Sequence, residues 1–170
     1  MKFAPGAGRR LALGLAVALV TVLLDQLSKW YILAHVPEAD GGRVPFLPFL
    51  DFTLAWNHGV SFSMGNDLAY SKLIFAALSI VVSIALVLWM ARGAKPAILV
   101  ALGLVTGGAV GNNCIDRLRF GAVEDFLYVH IGAFDWWPVF NIADSAICVG
   151  AAVMVFDSLF DRSLSHKNTP

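Results

Sequence analysis

The residues best suited to chemistry are a scattered set of acids and amides in a chain otherwise dominated by apolar side chains. The acids are Asp25, Asp116, Glu124, Asp125 and Asp144, and Lys29, Asn113, Arg117 and Asn141 stand near them. Other reaction types lack their residues. No Gly-x-Ser-x-Gly is present, and no cysteine lies near a histidine, so a nucleophile relay has no support. No His-Glu-x-x-His is present either. What remains is carboxylate chemistry. Two aspartates held close together cannot both ionise cheaply, so one keeps a proton while the other accepts one. Such a pair suits hydrolysis: the ionised carboxylate takes a proton from water and its partner protonates the carbonyl oxygen. Spacing alone leaves the pair open among the five acids.

Each candidate also has a structural reading. Asp25 and Lys29 are spaced i,i+4 and can pair along a helix. Asp116-Arg117 can be an interfacial ion pair. Asn141 stands where an N-cap would, and Asp144 falls in the first turn, where the helix dipole favours a carboxylate. Capping accounts for Asn141 better than for Asp144, which an apolar run follows. His58, in Trp56-Asn57-His58-Gly59, is a lone histidine. His35, His130 and His166 show no metal spacing. Cys114 and Cys148 make neither a disulfide framework nor a Cys-x-x-Cys, and read as small apolar core residues.

The elements that must position these groups are membrane helices. Of 170 residues, 58% are hydrophobic and 14% charged, and the mean hydropathy is +0.73. Soluble domains average about 25% charged. Net charge is zero and no basic stripe interleaves with aromatics, so nothing suggests nucleic acid. A spanning helix needs about 20 apolar residues. The expected spans are 11–33, 68–90, 96–112 and 141–160, within a single integral-membrane domain over 1–170. Lys2, Arg9 and Arg10 before Leu11–Leu24 resemble a signal peptide, but no Ala-x-Ala follows, so the segment reads as a retained first span.

Four spans place both termini on one side. Lys2, Arg9, Arg10, Arg92, Lys95, Arg162 and Lys167 fall on that side, against Arg43, Arg117 and Arg119 on the other. The positive-inside bias therefore puts the termini in the cytoplasm and the two larger loops outside. The acids and amides then gather at the outer helix ends, where ionisable groups are costly and usually functional. Phe46–Phe62 is rich in aromatics, with partial alternation over Phe49–Trp56, and reads as a short extended sheet on the membrane surface. Asp125 is expected on a loop and Asp144 on the first turn of the last span. The tryptophans of Phe134-Asp135-Trp136-Trp137-Pro138 suit the interfacial belt, and 163–170 reads as a frayed tail.

Five segments carry a more specific signal: Asp25-Gln26-Leu27-Ser28-Lys29, Asn57-His58-Gly59-Val60-Ser61-Phe62-Ser63, Asn113-Cys114-Ile115-Asp116-Arg117, Val123-Glu124-Asp125-Phe126 and Phe140-Asn141-Ile142-Ala143-Asp144-Ser145. In this order and spacing the chain resembles bacterial lipoprotein signal peptidase, or signal peptidase II, of aspartic peptidase family A8. The resemblance implies an all-α membrane fold of four transmembrane helices, with a small extracytoplasmic β-sheet and an interfacial helix in the first outer loop. It implies cleavage of prolipoproteins just before a diacylglyceryl-modified cysteine, with no cofactor or metal, at the outer face of the bacterial inner membrane. It selects Asp125 and Asp144 as the catalytic pair. It makes Asp25, Lys29, Asn57, Gly59, Asn113, Asp116, Arg117, Asn141 and Ala143 substrate-binding or supporting residues. It further implies inhibition by globomycin and a monomer in the phospholipid bilayer. One departure concerns the third segment. The family's Gly-Asn stands two residues before Asp-Arg. Counting back from Asp116 gives Asn113, with Asn112 in the glycine position; a one-residue insertion would instead give the asparagine role to Asn112.

Two other classes fit an intramembrane acid cluster. A transporter or proton relay would place carboxylates near the midplane of inverted repeats, whereas these cluster at one end and no repeat is seen. A non-enzymatic scaffold would use the cluster only for structure.

Overall fold

Long apolar runs of helix-forming residues satisfy their own backbone hydrogen bonds, the requirement for crossing lipid. The computed structural model describes residues 7–36, 42–58, 68–131 and 137–166. Helix α1 is Ala7–His35, α2 is Leu68–Ala91 and α3 is Pro96–Ala109. A π-helical segment, Val110–Asp116, continues α3 into the short helix α4, Arg117–Phe120. The last helix, α5, is Ile142–His166. Four stretches are long and apolar enough to cross a membrane: Gly8–His35, Leu73–Ala91, Pro96–Phe120 and Ile142–Phe160. The third outruns its expected end at 112, because the π-helical turn lets the helix continue past Asn112 and Asn113.

Large apolar side chains point outward along these spans, among them Leu27, Val81 and Phe156, each at least 60% exposed. Water would penalise such a surface; lipid does not. Cys148 shares that outward position, so it is not a core residue as expected, while Cys114 is half-buried; neither is in a disulfide. Span three is the buried centre, packed between α1 and α5. Glycine makes that packing close. A Cβ on Gly107 would lie 2.5 Å from the Ala18 carbonyl oxygen, and one on Gly108 2.5 Å from that of Ala143. Without a hydrophobic drive between helices in lipid, such backbone approach supplies dispersion contact. Near the turn into α3, Met90, Ile98, Leu99 and Leu102 form a buried apolar cluster.

One end of the bundle carries an antiparallel sheet in the order β1-β2-β3. Strands β1 (Val44–Leu47) and β2 (Leu50–Asn57) come from the segment between α1 and α2, β2 from its alternating stretch. Strand β3, Val123–Val129, comes from the second. Asp125 therefore sits on a strand and not on a loop, because β2 supplies the partner edge that a local reading of 123–129 lacks. Gly121, at φ 78°, ends α4 in the left-handed conformation and turns the chain into β3. Phe126 then packs on Ile32 and Val36 at the C-terminal end of α1. The expected interfacial helix and Ser61–Ser63 fall outside the described residues.

Candidate functional site

The site is assembled where β3 meets the start of α5. Phe140 bridges Leu127: the Leu127 amide donates to the Phe140 carbonyl at 2.8 Å and the Phe140 amide returns a bond at 3.1 Å. This bridge sets Asn141–Asp144 beside Asp125. Asn141 and Asp144 then form a reciprocal capping box. The Asp144 amide donates to Asn141 Oδ1 at 2.9 Å, and the Asn141 amide donates to Asp144 Oδ2 at 3.2 Å. The local demand of the helix end thus fixes Asp144 as well as Asn141, more fully than spacing suggested.

Capping does not explain what else converges there. Asn141 Nδ2 donates to Asp125 Oδ1 at 2.7 Å and to Asn112 Oδ1 at 3.1 Å. Asn112 Nδ2 donates to Asp144 Oδ1 at 2.8 Å. Asn57 Nδ2 donates to Asp125 Oδ2 at 3.0 Å. Asn57 lies opposite Val123 and reaches diagonally to Asp125 on the same face of the sheet. Both aspartates are thus held by amides, and among the described residues neither is in an ion pair. Burial pushes the Asp125 carboxyl up to about 6; the Asn57 bond opposes this and the nearby Asp144 charge adds to it.

Behind this pair lies an ion cluster. Lys29 Nζ is 2.8 Å from Asp25 Oδ2 and 2.7 Å from Asp116 Oδ2, and it donates to Asn112 Oδ1 at 2.8 Å. Lys29, Asp25 and Asp116 are all buried. Asp25 Oδ1 also accepts the Ala143 amide at 3.0 Å, satisfying an orphan donor in the first turn of α5. Gln26 Nε2 bridges Asp116 Oδ1 at 2.9 Å and Asp25 Oδ2 at 3.1 Å. Gln26 was not singled out among the candidates, although it lies inside the Asp25–Lys29 segment.

The asparagine alternatives separate clearly. Asn112 joins Asp144 to Lys29, while the Asn113 side chain accepts from Arg117 Nε at 3.0 Å. Of the two alternatives, it is Asn112 that reaches an aspartate of the pair, while Asn113 faces Arg117. Both asparagines lie in the π-helical turn, in which the Arg117 amide bonds the Asn112 carbonyl, i to i−5. Arg117 stands to one side, its Nη1 on the His58 carbonyl at 3.2 Å and its guanidinium 4.5 Å over the Phe75 ring. Gly59 lies outside the described residues. Among those residues no group of three His, Cys, Asp or Glu side chains could hold a metal ion.

Four membrane-length helices carrying a buried acid–amide site define a multi-pass membrane protein with the equipment for acid–base chemistry. Comparison with known proteins narrows this. Residues 17–160 match the family model of signal peptidase (SPase) II. Over 154 residues the chain is 41% identical to a lipoprotein signal peptidase of Caulobacter vibrioides, covering 89% of this chain and 90% of that one. Over 151 residues it is 46% identical to one from Coxiella burnetii, covering 86% and 90%. A solved bacterial membrane enzyme superposes with a TM-score of 0.75 at 30% identity, over 86% of this chain and 92% of that one. The chain belongs to the signal peptidase II family and is a membrane peptidase.

Proposed function

We propose that this chain removes signal peptides from prolipoproteins by hydrolysis just before a diacylglyceryl-modified cysteine, with Asp125 and Asp144 as an aspartic pair. The observation that carries the reading is the convergence of two carboxylates from separate elements, β3 and α5, onto one amide scaffold, with no cation between them among the described residues. A cation there would hold both ionised. Amides leave the pair free to share a proton.

The chemistry follows from that sharing. One carboxylate, ionised, takes a proton from water as the oxygen attacks the scissile carbonyl. The other, protonated, donates to the carbonyl oxygen. Collapse of the tetrahedral intermediate returns a proton to the leaving amine. Asn57, Asn112 and Asn141 fix the carboxylate orientations. No metal or other cofactor takes part. A substrate anchored by its acyl chains is already concentrated at the bilayer, so protein contacts need to supply mainly orientation. In this reading the chain lies in the bacterial inner membrane as a monomer, with both termini in the cytoplasm and the site on the periplasmic side. Globomycin-type inhibitors would occupy the same site.

The test is cleavage of a diacylglyceryl-modified prolipoprotein by the purified protein and by Asp125→Asn and Asp144→Asn. Each substitution should lower the rate by at least about a thousandfold with folding retained. Full cleavage by either variant would reduce the carboxylates to capping and packing roles.

A further inference from the structure

Glu124 has no part in the reaction just described, yet it is among the most enclosed side chains of the molecule. It is 0% exposed, and among the described residues neither carboxyl oxygen has a hydrogen-bond partner. On β3 it alternates with Asp125, so it faces the opposite side of the strand. Charged groups act on it from several elements: Asp116 from the π-helical segment, Lys29 and Asp25 from α1, and Arg119 from α4. Asp125 adjoins it on its own strand, and β2 places Trp56 opposite it. Lys29 has three donor hydrogens, and Asp25, Asp116 and Asn112 take them all. None is left for Glu124. A buried carboxylate with no donor is among the costliest groups a protein can hold, so the group is kept as the neutral acid.

The main chain of the same residue links the two halves of the site. The Glu124 amide donates to Asp116 Oδ2 at 3.2 Å. Its carbonyl accepts from Asn141 Nδ2 at 3.2 Å, the same nitrogen that donates to Asp125 Oδ1 at 2.7 Å. Whatever displaces Glu124 therefore displaces Asn141 and Asp125.

We propose that Glu124 is a positioning residue that must remain uncharged for the aspartate pair to be held, and that its deprotonation sets the alkaline limit of the peptidase. Ionised, it would compete with Asp116 for Lys29 or draw water into the cluster, and either change pulls on the Asn141–Asp125 bond. Burial, with repulsion from Asp116 next, pushes its carboxyl up to about 8 against the attraction of Lys29. Because this lies above the value of 4.5 for a free side chain, the folded state binds the proton more tightly than the unfolded chain. Its contribution to stability is full below the lower value and is lost as pH rises to the upper one.

The inference rests on the aspartic-pair reading for activity but not for stability, and the experiment uses both. The full chain in detergent and its Glu124→Gln variant are assayed from pH 5.5 to 9.5 on a synthetic diacylglyceryl-cysteine prolipopeptide, and their thermal midpoints are followed over the same range. The parent chain should lose activity about tenfold per pH unit above its alkaline midpoint. In Glu124→Gln that limb should move up by at least about one unit, with neutral activity within about threefold, and the midpoint should fall less with rising pH. An alkaline limb that is unchanged in Glu124→Gln overturns the proposal. If the Gln variant does not fold, Glu124→Met, also uncharged, carries the same comparison. If the parent cleaves nothing at any pH, the proposed reaction fails by itself, and parallel stability profiles for parent and variant overturn the role of Glu124 independently.

Discussion

Two pairs of aspartates lie at the same end of the bundle, and they are held in opposite ways. Asp25 and Asp116 flank Lys29, with every oxygen–nitrogen contact near 2.7–2.8 Å. Asp125 and Asp144 are flanked by Asn57, Asn112 and Asn141, with no ion pair among the described residues. A buried cation between two carboxylates offsets their charge and fixes their position. Neutral amides orient a carboxylate without settling its charge. Chemistry that moves a proton needs the second arrangement, and a rigid frame around it benefits from the first. Asn112 joins the two, accepting from Lys29 and donating to Asp144.

The sharpest way to break this contrast is to remove the cation. Lys29→Met leaves Asp25 and Asp116 buried without their counter-charge, which should cost about 3–5 kcal/mol of stability. Thermal unfolding in detergent measures it. A variant that folds as well as the parent and loses only rate would place Lys29 in the chemistry instead of the frame.

Next in size is the joint between the pairs. Asn112→Ala removes a bond to an aspartate and should cost about 1.5–3 kcal/mol of transition-state stabilisation, read as roughly a tenfold to hundredfold drop in kcat/KM. Asn113→Ala should change kcat/KM by less than about threefold, since its bond goes to Arg117. Equal losses in the two variants would undo the separation made by the π-helical turn.

The smallest effect is one of pH. The Asp125 carboxyl is raised to about 6, first by burial, and the proposed reaction needs one ionised member of the pair. Protonation of that member on the acid side removes the base, so cleavage should fall as pH drops through this value, by about tenfold one unit below it. The midpoint belongs to the coupled pair and not to either residue. An acid limb centred near 4 would mean that the pair is not enclosed as its burial implies.

The four spans and the gathering of acids at their ends were legible because hydropathy and charge need no partner to be read. Leu68–Ala91 matches its expected range to within a residue. The first and last helices run somewhat longer than expected, to His35 and His166. The alternating residues between the first two spans formed β2 for the same local reason. Val123–Val129 was not legible as a strand, since its pairing edge lies some seventy residues earlier: Asp125 faces Ala55. Asn112 was ambiguous because a π-helical turn has no strong residue signature. Glu124 was one of five acids with nothing local to mark its enclosure.

By itself the sequence determined a four-span membrane chain and a set of acids and amides at one end, because apolar length and local capping chemistry act within a few residues of themselves. Only the tertiary structure decided which acids are paired by a cation, which are held by amides and which is sealed away. Those outcomes depend on the distance between groups on different elements, set here by the β2–β3 pairing, the Phe140–Leu127 bridge and the close glycine packing of the central helix.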